Sequence, residues 1–371
     1  METSRSIESI LKEKVAASKD GMITYREYIE TVLYSPEHGY YMKEREKIGK
    51  NGDFYTSSIM SDGFGIALAK WFSYSLKETG LHPVIAEIGG GTGNLAYSIL
   101  SYLKENDREL FSRLNYIVVD SSPYHQKRQR EKLKSFENAV YAESFSELED
   151  FEGIMFSNEL FDALPVSVVE KKQGVLHEVC LELKNGFLSE CLRPCINPGL
   201  LRYLKNQDII LAEGQRMEIP LDMVACLKSL SQILKKGLLL TIDYGYTHDE
   251  WEENIHSKGS LRGYYKHTMV SNVLERPGEM DITSHIHFDA LKSFGAQYGL
   301  RNETVLSQHE FLLRCGLLEE VADHQNTDPF SAVSKRNRSI RSLLLPGGIS
   351  SYFRALIQTK NMPHLDRLFP Y

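Results

Sequence analysis

No C-x-x-C pair occurs among the five cysteines, Cys180, Cys191, Cys195, Cys226 and Cys315, and their number is odd. A disulfide framework and a cysteine-based zinc site are therefore both disfavoured. Met1 to Asp20 mixes acids and bases with no apolar centre, unlike a signal peptide, and no apolar run approaches the ~20 residues of a membrane span. The expected setting is a reducing cytoplasm, with no membrane partner. There is no excess of basic charge: the net charge is -7, which disfavours a general nucleic-acid binder. The cluster Lys127-Arg128-Gln129-Arg130 reads as the solvated face of an amphipathic helix. Internal repeats and low-complexity tracts are absent as well. What remains, 371 residues of which 42% are hydrophobic and 25% charged, is enough for one large globular domain with insertions or for two domains.

The most informative stretch is Val84-Ile85-Ala86-Glu87-Ile88-Gly89-Gly90-Gly91-Thr92-Gly93-Asn94. It reads as a buried strand, a glycine turn and the start of a helix running to about Lys104. Glycines allow positive φ and close approach of a ligand, and a helix start offers unpaired N–H groups. A dinucleotide fingerprint would place a third glycine where Asn94 stands, so a pyrophosphate ligand is disfavoured. Glu87, two residues before the first glycine, suits a ligand bearing an ammonium and no phosphate. S-Adenosylmethionine answers that description. Asp120 ends the apolar run Leu114 to Val119 and can accept both hydroxyls of a ribose; alone it fits NAD as well, or a helix cap before Ser121-Ser122-Pro123.

Helical periodicity covers Ile7 to Leu33, with a capping box at Thr24-Tyr25-Arg26-Glu27. A further helix is expected over Met60 to Thr79. Strands are expected at Asn138–Ala142, Gly153–Ser157 and Leu238–Asp243, alternating with helices, which implies a parallel sheet covered on both faces. Two interruptions follow. Val166–Lys171, Leu176–Leu183 and Phe187–Leu192 read as an antiparallel meander, and Tyr246–His287 as a long loop of the kind that carries function. The tail Phe353–Lys360 reads as a last edge strand. The expected architecture is α/β, a Rossmann-like sheet with a helical N-terminal region, residues 1–80, and a main domain, residues 81–371, with antiparallel and other insertions at about 166–219 and 246–287.

Several stretches together resemble the MidA/NDUFAF7 family of class I S-adenosylmethionine-dependent methyltransferases. They are Gly52-Asp53-Phe54-Tyr55-Thr56-Ser57, Glu87 to Gly93, Ser157-Asn158-Glu159-Leu160-Phe161-Asp162-Ala163-Leu164-Pro165, Asp243-Tyr244-Gly245, Leu261-Arg262-Gly263-Tyr264, and Pro277 to Thr283. The resemblance runs from about Ile23 to Cys315. It implies a class I methyltransferase sheet, in which Gly89, Gly91 and Gly93 pack the methionyl part of the cofactor, Glu87 lies behind it and Asp120 holds the ribose. It further implies that Gly52, Asp53 and Thr56 close over the cofactor from the N-terminal region. Mitochondrial members of the family are protein-arginine methyltransferases needed for assembly of respiratory complex I. One departure is that this chain has Gly-Gly-Gly-Thr-Gly where the family commonly has Gly-Pro-Gly-x-Gly, a change expected to relax the turn.

A guanidinium is a poor nucleophile, and a carboxylate paired with it can localise charge and orient one nitrogen. Glu159, after the fourth strand, is the candidate for that role, with Asn158 beside it and Asp162 as a less central partner. Arginine methyltransferases of another family place acids similarly, which is an analogy. The competing reading is that Asn158 and Glu159 cap a helix starting near Phe161. Arg262, Tyr264 and His267 are candidates for the acceptor channel, whereas His285 and His287 read as ordinary histidines and not metal ligands. Asp281 and Thr283 read as braces of the loop, and Cys191 and Cys195 as small strand or turn residues. The leading expectation is methylation of a protein arginine, hence a protein substrate. The alternatives are a small-molecule or other side-chain acceptor, a cofactor-binding assembly factor with little catalysis, and an NAD-dependent oxidoreductase. The meander and long loop are also candidates for a homodimer contact.

Overall fold

The computed structural model describes residues 6–45, 47, 62–252, 257–321, 328–345, 352–365 and 367–370. Gly52, Asp53 and Thr56 lie outside the described residues. The chain divides into two compact units, each assembled from three stretches: residues 55–160, 228–244 and 295–371 in one, and 1–54, 161–227 and 245–294 in the other.

The first unit is built on one twisted sheet. Its strands lie side by side in the order Ala139–Ala142, Asn115–Val119, Val84–Ile88, Phe151–Asn158, Leu234–Tyr246, Phe353–Lys360 and Arg301–Ser307. The first five are mutually parallel, and Phe353–Lys360 runs antiparallel to both of its neighbours. The central strands are buried along almost their whole length, which is why they read as continuous apolar runs and not as alternations. Chain order reverses beside Val84–Ile88: the strands next in sequence go to one side, and Phe151–Asn158 takes the other. In an open parallel sheet that reversal leaves a crevice beyond the carboxyl ends of the two strands, where ligands bind.

Helix Asn94–Asn106 buries Leu95, Ala96, Ile99, Leu100 and Leu103, a stripe at helical spacing. Helix Asp62–Thr79 contributes Phe64, Leu68, Trp71 and Phe72 to the same core. Phe72 meets Phe156 of the sheet at 4.9 Å between ring centroids, and the Trp71 indole N–H donates to the Leu368 carbonyl at 2.9 Å.

The other unit contains a five-stranded antiparallel sheet of Met22–Thr24, Ser167–Lys172, Val175–Lys184, Phe187–Pro194 and Arg216–Ile219. The N-terminal helices Ile7–Ala17 and Tyr25–Tyr34 share its core, with Leu11, Tyr28 and Val32 against Val168, Val179 and Leu181. The capping box forms: the Glu27 backbone N–H donates to Thr24 Oγ1 at 3.2 Å, and Glu27 Oε2 accepts from the Thr24 N–H at 2.7 Å.

Three expectations are corrected. Residues 246–287 are not a structureless loop: they hold helix His248–Glu252 and a three-stranded sheet of Arg262–Tyr265, Thr268–Val270 and Asp281–Thr283. Their Ile286–His287 pairs in parallel with Gly245 and Tyr246. The strand Phe353–Lys360 is interior, and the edge is Arg301–Ser307, a mostly polar strand exposed at its start and half-buried for most of the rest. No helix begins near Phe161, where residues 159–166 form bends and turns. Among the described residues, no helix is long and apolar enough to cross a membrane.

Candidate active site

The glycine turn leaves the end of Val84–Ile88 and is fixed from the neighbouring strand. The N–H groups of Gly89 and Gly90 donate to the Val119 carbonyl at 2.8 and 3.1 Å. Gly89, Gly91 and Gly93 take positive φ of 79°, 52° and 76°, conformations that cost side-chain-bearing residues free energy. Gly93 is the N-cap of the helix and supplies no side-chain bond, so the first helical N–H groups keep the exposed positive end of the helix.

Asp120 stands at the tip of the adjacent strand, with its side chain only 10% exposed. Its Oδ2 accepts from the Gly91 N–H at 2.8 Å and its Oδ1 from the Ser122 N–H at 2.9 Å. His125 Nδ1 lies 3.2 Å from Oδ2. Such bonds to an ionised acceptor are among the stronger ones in proteins. Helix Pro123–Lys132 adds two side-chain contacts, Gln126 Nε2 to the Asp120 carbonyl and Gln129 Nε2 to the Gly91 carbonyl, each 2.8 Å.

Glu87 lies beneath the turn, 4% exposed, and accepts a hydrogen bond from Tyr116 Oη at 2.8 Å. Burial, with a smaller push from Asp120 and against the Tyr116 bond, raises its carboxyl to about 8. At position 90 the departure from the family pattern has a packing counterpart. A Cβ there would come within 2.3 Å of Val118 Cγ1, so Val118 occupies the space a larger residue would need.

At the tip of Phe151–Asn158, Asn158 Nδ2 donates to Glu159 Oε1 at 3.1 Å, while the buried Asn158 Oδ1 has no hydrogen-bond partner. Glu159 is half-buried, takes φ of +52° and donates its N–H to the Ile242 carbonyl at 2.9 Å. A non-glycine residue in this region costs on the order of 1–3 kcal/mol. Leu160 then packs over the turn, 2.9 Å from where a Gly89 Cβ would be.

Asp162, Arg262 and Tyr264 belong to the other unit. Asp162 is buried and Oδ2 accepts from Thr283 Oγ1 at 2.8 Å; Thr283 pairs in register with Arg262. Arg262 donates to the Ser260 carbonyl at 3.0 Å and lies against His285. Tyr264 is half-buried and opposite Asp281, whose Oδ1 accepts from Tyr41 Oη at 2.6 Å. His267 is exposed and His287 fully buried. Among the described residues, no group of three or more His, Cys, Asp and Glu could hold a metal ion.

The donor set fits S-adenosylmethionine. A Cβ at Gly91 would meet nothing within 4 Å, so backbone is open to a ligand there. A carboxyl lies under the turn, a carboxylate stands at the next strand tip, and both belong to a sheet with the order of class I methyltransferases. Residues 67–305 match the model of a family of S-adenosyl-L-methionine-dependent methyltransferases. The chain belongs to this family. It is an S-adenosylmethionine-dependent methyltransferase, with the class I fold expected from its sequence.

Mouse mitochondrial protein arginine methyltransferase NDUFAF7 is 27% identical over 334 residues, covering 80% of this chain and 71% of the mouse protein. The human protein of that name is 28% identical over 334 residues, with 80% and 70% covered. A protein from Burkholderia thailandensis, solved bound to S-adenosylhomocysteine, superposes with a TM-score of 0.87 at 26% identity, covering 96% of this chain and 92% of that one. These relatives bear out the resemblance to the MidA/NDUFAF7 family. The two curated relatives are named as mitochondrial proteins, which overturns the expected cytoplasmic location.

Tyr116, His125, Gln126 and Gln129 were not among the sequence candidates. The signal was present in Pro123–Lys132, which carries no aliphatic residue although it flanks a central sheet; its buried positions are His125 and Gln129. A polar buried stripe in such a helix marks a hydrogen-bonding duty.

Two tests follow from this geometry. Gly90→Ala should destabilise by about 1–3 kcal/mol through overpacking, and adding Val118→Ala should make the pair less destabilising than the sum of the single changes, as read from denaturant unfolding. For Glu87, the folded carboxyl titrates above its ordinary 4.5. Its contribution to stability is therefore complete below that value and is lost as pH rises through about 8. Glu87→Gln, always neutral, should match wild type in Tm below about pH 4.5 and exceed it by a margin that grows as pH rises to about 8 and is constant above that. A constant Tm difference across the range would contradict the raised value.

Proposed function

We propose that the chain transfers the methyl group to an arginine side chain of a protein substrate, with Glu159 orienting the acceptor guanidinium and Asn158 holding Glu159. The observation that carries this reading is the strained backbone at Glu159. A residue held at positive φ without being glycine is retained for its side chain, and this one presents a carboxylate at the carboxyl end of the strand beside the glycine turn. The naming of the curated relatives as protein arginine methyltransferases supports the choice of acceptor.

In this reading Gly89, Gly91 and Gly93 receive the methionyl part of S-adenosylmethionine, Glu87 faces its ammonium, and Asp120 accepts from the ribose hydroxyls. The bound cofactor supplies an electrophilic methyl on a positive sulfur, so the protein's work is positioning and exclusion of water. Glu87 sheds its proton when an ammonium comes beside it. Glu159 forms a forked pair with the guanidinium, leaving one nitrogen aimed for in-line attack; Asp162, Arg262 and Tyr264, which belong to the other unit, are assigned to the substrate on the sequence alone. Gly52, Asp53 and Thr56 are assigned to the cofactor on the resemblance alone.

The test is transfer of labelled methyl groups from S-adenosylmethionine into extract of cells lacking the protein, followed by hydrolysis and amino-acid identification. Methylarginine is expected with wild type, and Glu159→Gln should lower the rate about 100-fold as the acceptor loses its alignment, while S-adenosylhomocysteine still binds. Glu159→Gly should raise Tm by relieving the backbone and abolish transfer at once. Label on a residue other than arginine, or full activity in Glu159→Gln, would overturn the assignment.

A further inference from the structure

Gly91 is gripped at both of its backbone polar groups by side chains from the next β–α unit. Asp120 takes its N–H, and Gln129 Nε2 donates to its carbonyl at 2.8 Å. The orientation of the Gln129 amide is fixed by chemistry, because only the NH₂ end can face a carbonyl oxygen. Gln129 is completely buried and also packs under the helix cap: a Cβ on Gly93 would lie 3.2 Å from its Cα and 3.3 Å from its Cγ. Its other amide atom, Oε1, is buried with no hydrogen-bond partner.

That orphan acceptor is the informative part. A buried oxygen stripped of water and given no donor destabilises the fold, and an apolar side chain of the same shape would remove the penalty. Retaining glutamine at such a position makes sense when its donor half does something stability does not reward. Here the donor half holds the carbonyl of a glycine in a turn that is glycine at four of its five positions, Gly89 to Gly93. We infer that Gln129 is a positioning residue for cofactor binding: it fixes the Gly91 peptide in the conformation that meets the ligand, without touching the ligand itself. Gln129→Met keeps the length and bulk and deletes both the donor and the orphan.

A merely structural residue would lose stability and ligand affinity together. The inference expects them to part. In Gln129→Met the ligand-free protein should melt at or above the wild-type temperature, while the Kd for S-adenosylhomocysteine, measured by calorimetry, should rise about tenfold, the scale of one lost hydrogen bond. Gln129→Glu gives an independent reading if the first variant is poorly soluble. Its protonated carboxyl can donate to the Gly91 carbonyl and its ionised form cannot, so its affinity relative to wild type should be highest at acid pH and fall as pH rises. An unchanged Kd in folded Gln129→Met, a joint loss of Tm and affinity, or a pH-independent affinity ratio in Gln129→Glu would each overturn the inference.

Discussion

The bond from the Gly91 N–H to Asp120 ties together the parts of this molecule that matter most. A glycine turn has every conformational freedom and no side chain with which to give it up, so its shape must be imposed from outside. The imposition comes from the neighbouring strand and the helix after it. Val119 takes the first two N–H groups, Asp120 takes the third, and Gln129 holds the Gly91 carbonyl. The carboxylate that bonds the turn also stands at the strand tip where a ribose is received in this class of fold. Asp120 holds the turn and is itself steadied by Ser122 and His125; in the proposed reading the same side chain also presents its acidic edge to the cofactor.

On the other side of Val84–Ile88, the tip of Phe151–Asn158 spends stability differently. Glu159 is strained and Asn158 keeps an unpartnered buried oxygen. Two local costs at adjacent residues, beside the point where strand order reverses, are consistent with the reaction centre proposed there, since functional sites are where local rules of stability are broken. The sheet beneath can bear them, since Phe156, Leu240 and Ile242 on its buried face continue a core that includes Phe72 and Trp71.

Much of this was readable in the sequence because the information was local. The strand, glycines and helix start of Val84–Asn106 follow one another directly, and Asp120 ends a run whose β-branched residues announce a central strand. What could not be read depended on distant pairing. Phe353–Lys360 looks terminal, yet it enters the sheet between Leu234–Tyr246 and Arg301–Ser307, and nothing within those eight residues fixes that order. The glycine at position 90 seemed a loosening of the turn until Val118, from another strand, was seen to occupy its place. Gln129 was masked by the charges around it, because a helix carrying Lys127, Arg128 and Arg130 reads as solvated unless its buried side is considered separately. Neither unpaired cysteines nor a mixed-charge stretch such as Met1 to Asp20 carries an address, which is why together they misled about location.

The most direct test is the crystal structure of the protein with S-adenosylhomocysteine bound. The ribose hydroxyls should lie on the Asp120 carboxylate and the amino-acid end over Gly89 to Gly93, with the Gly91 contacts to Asp120 and Gln129 intact and positive φ retained at all three glycines. A ligand seated away from Asp120, or a turn rebuilt around it with those contacts broken, would contradict the view that the site is held ready by the side chains beneath it.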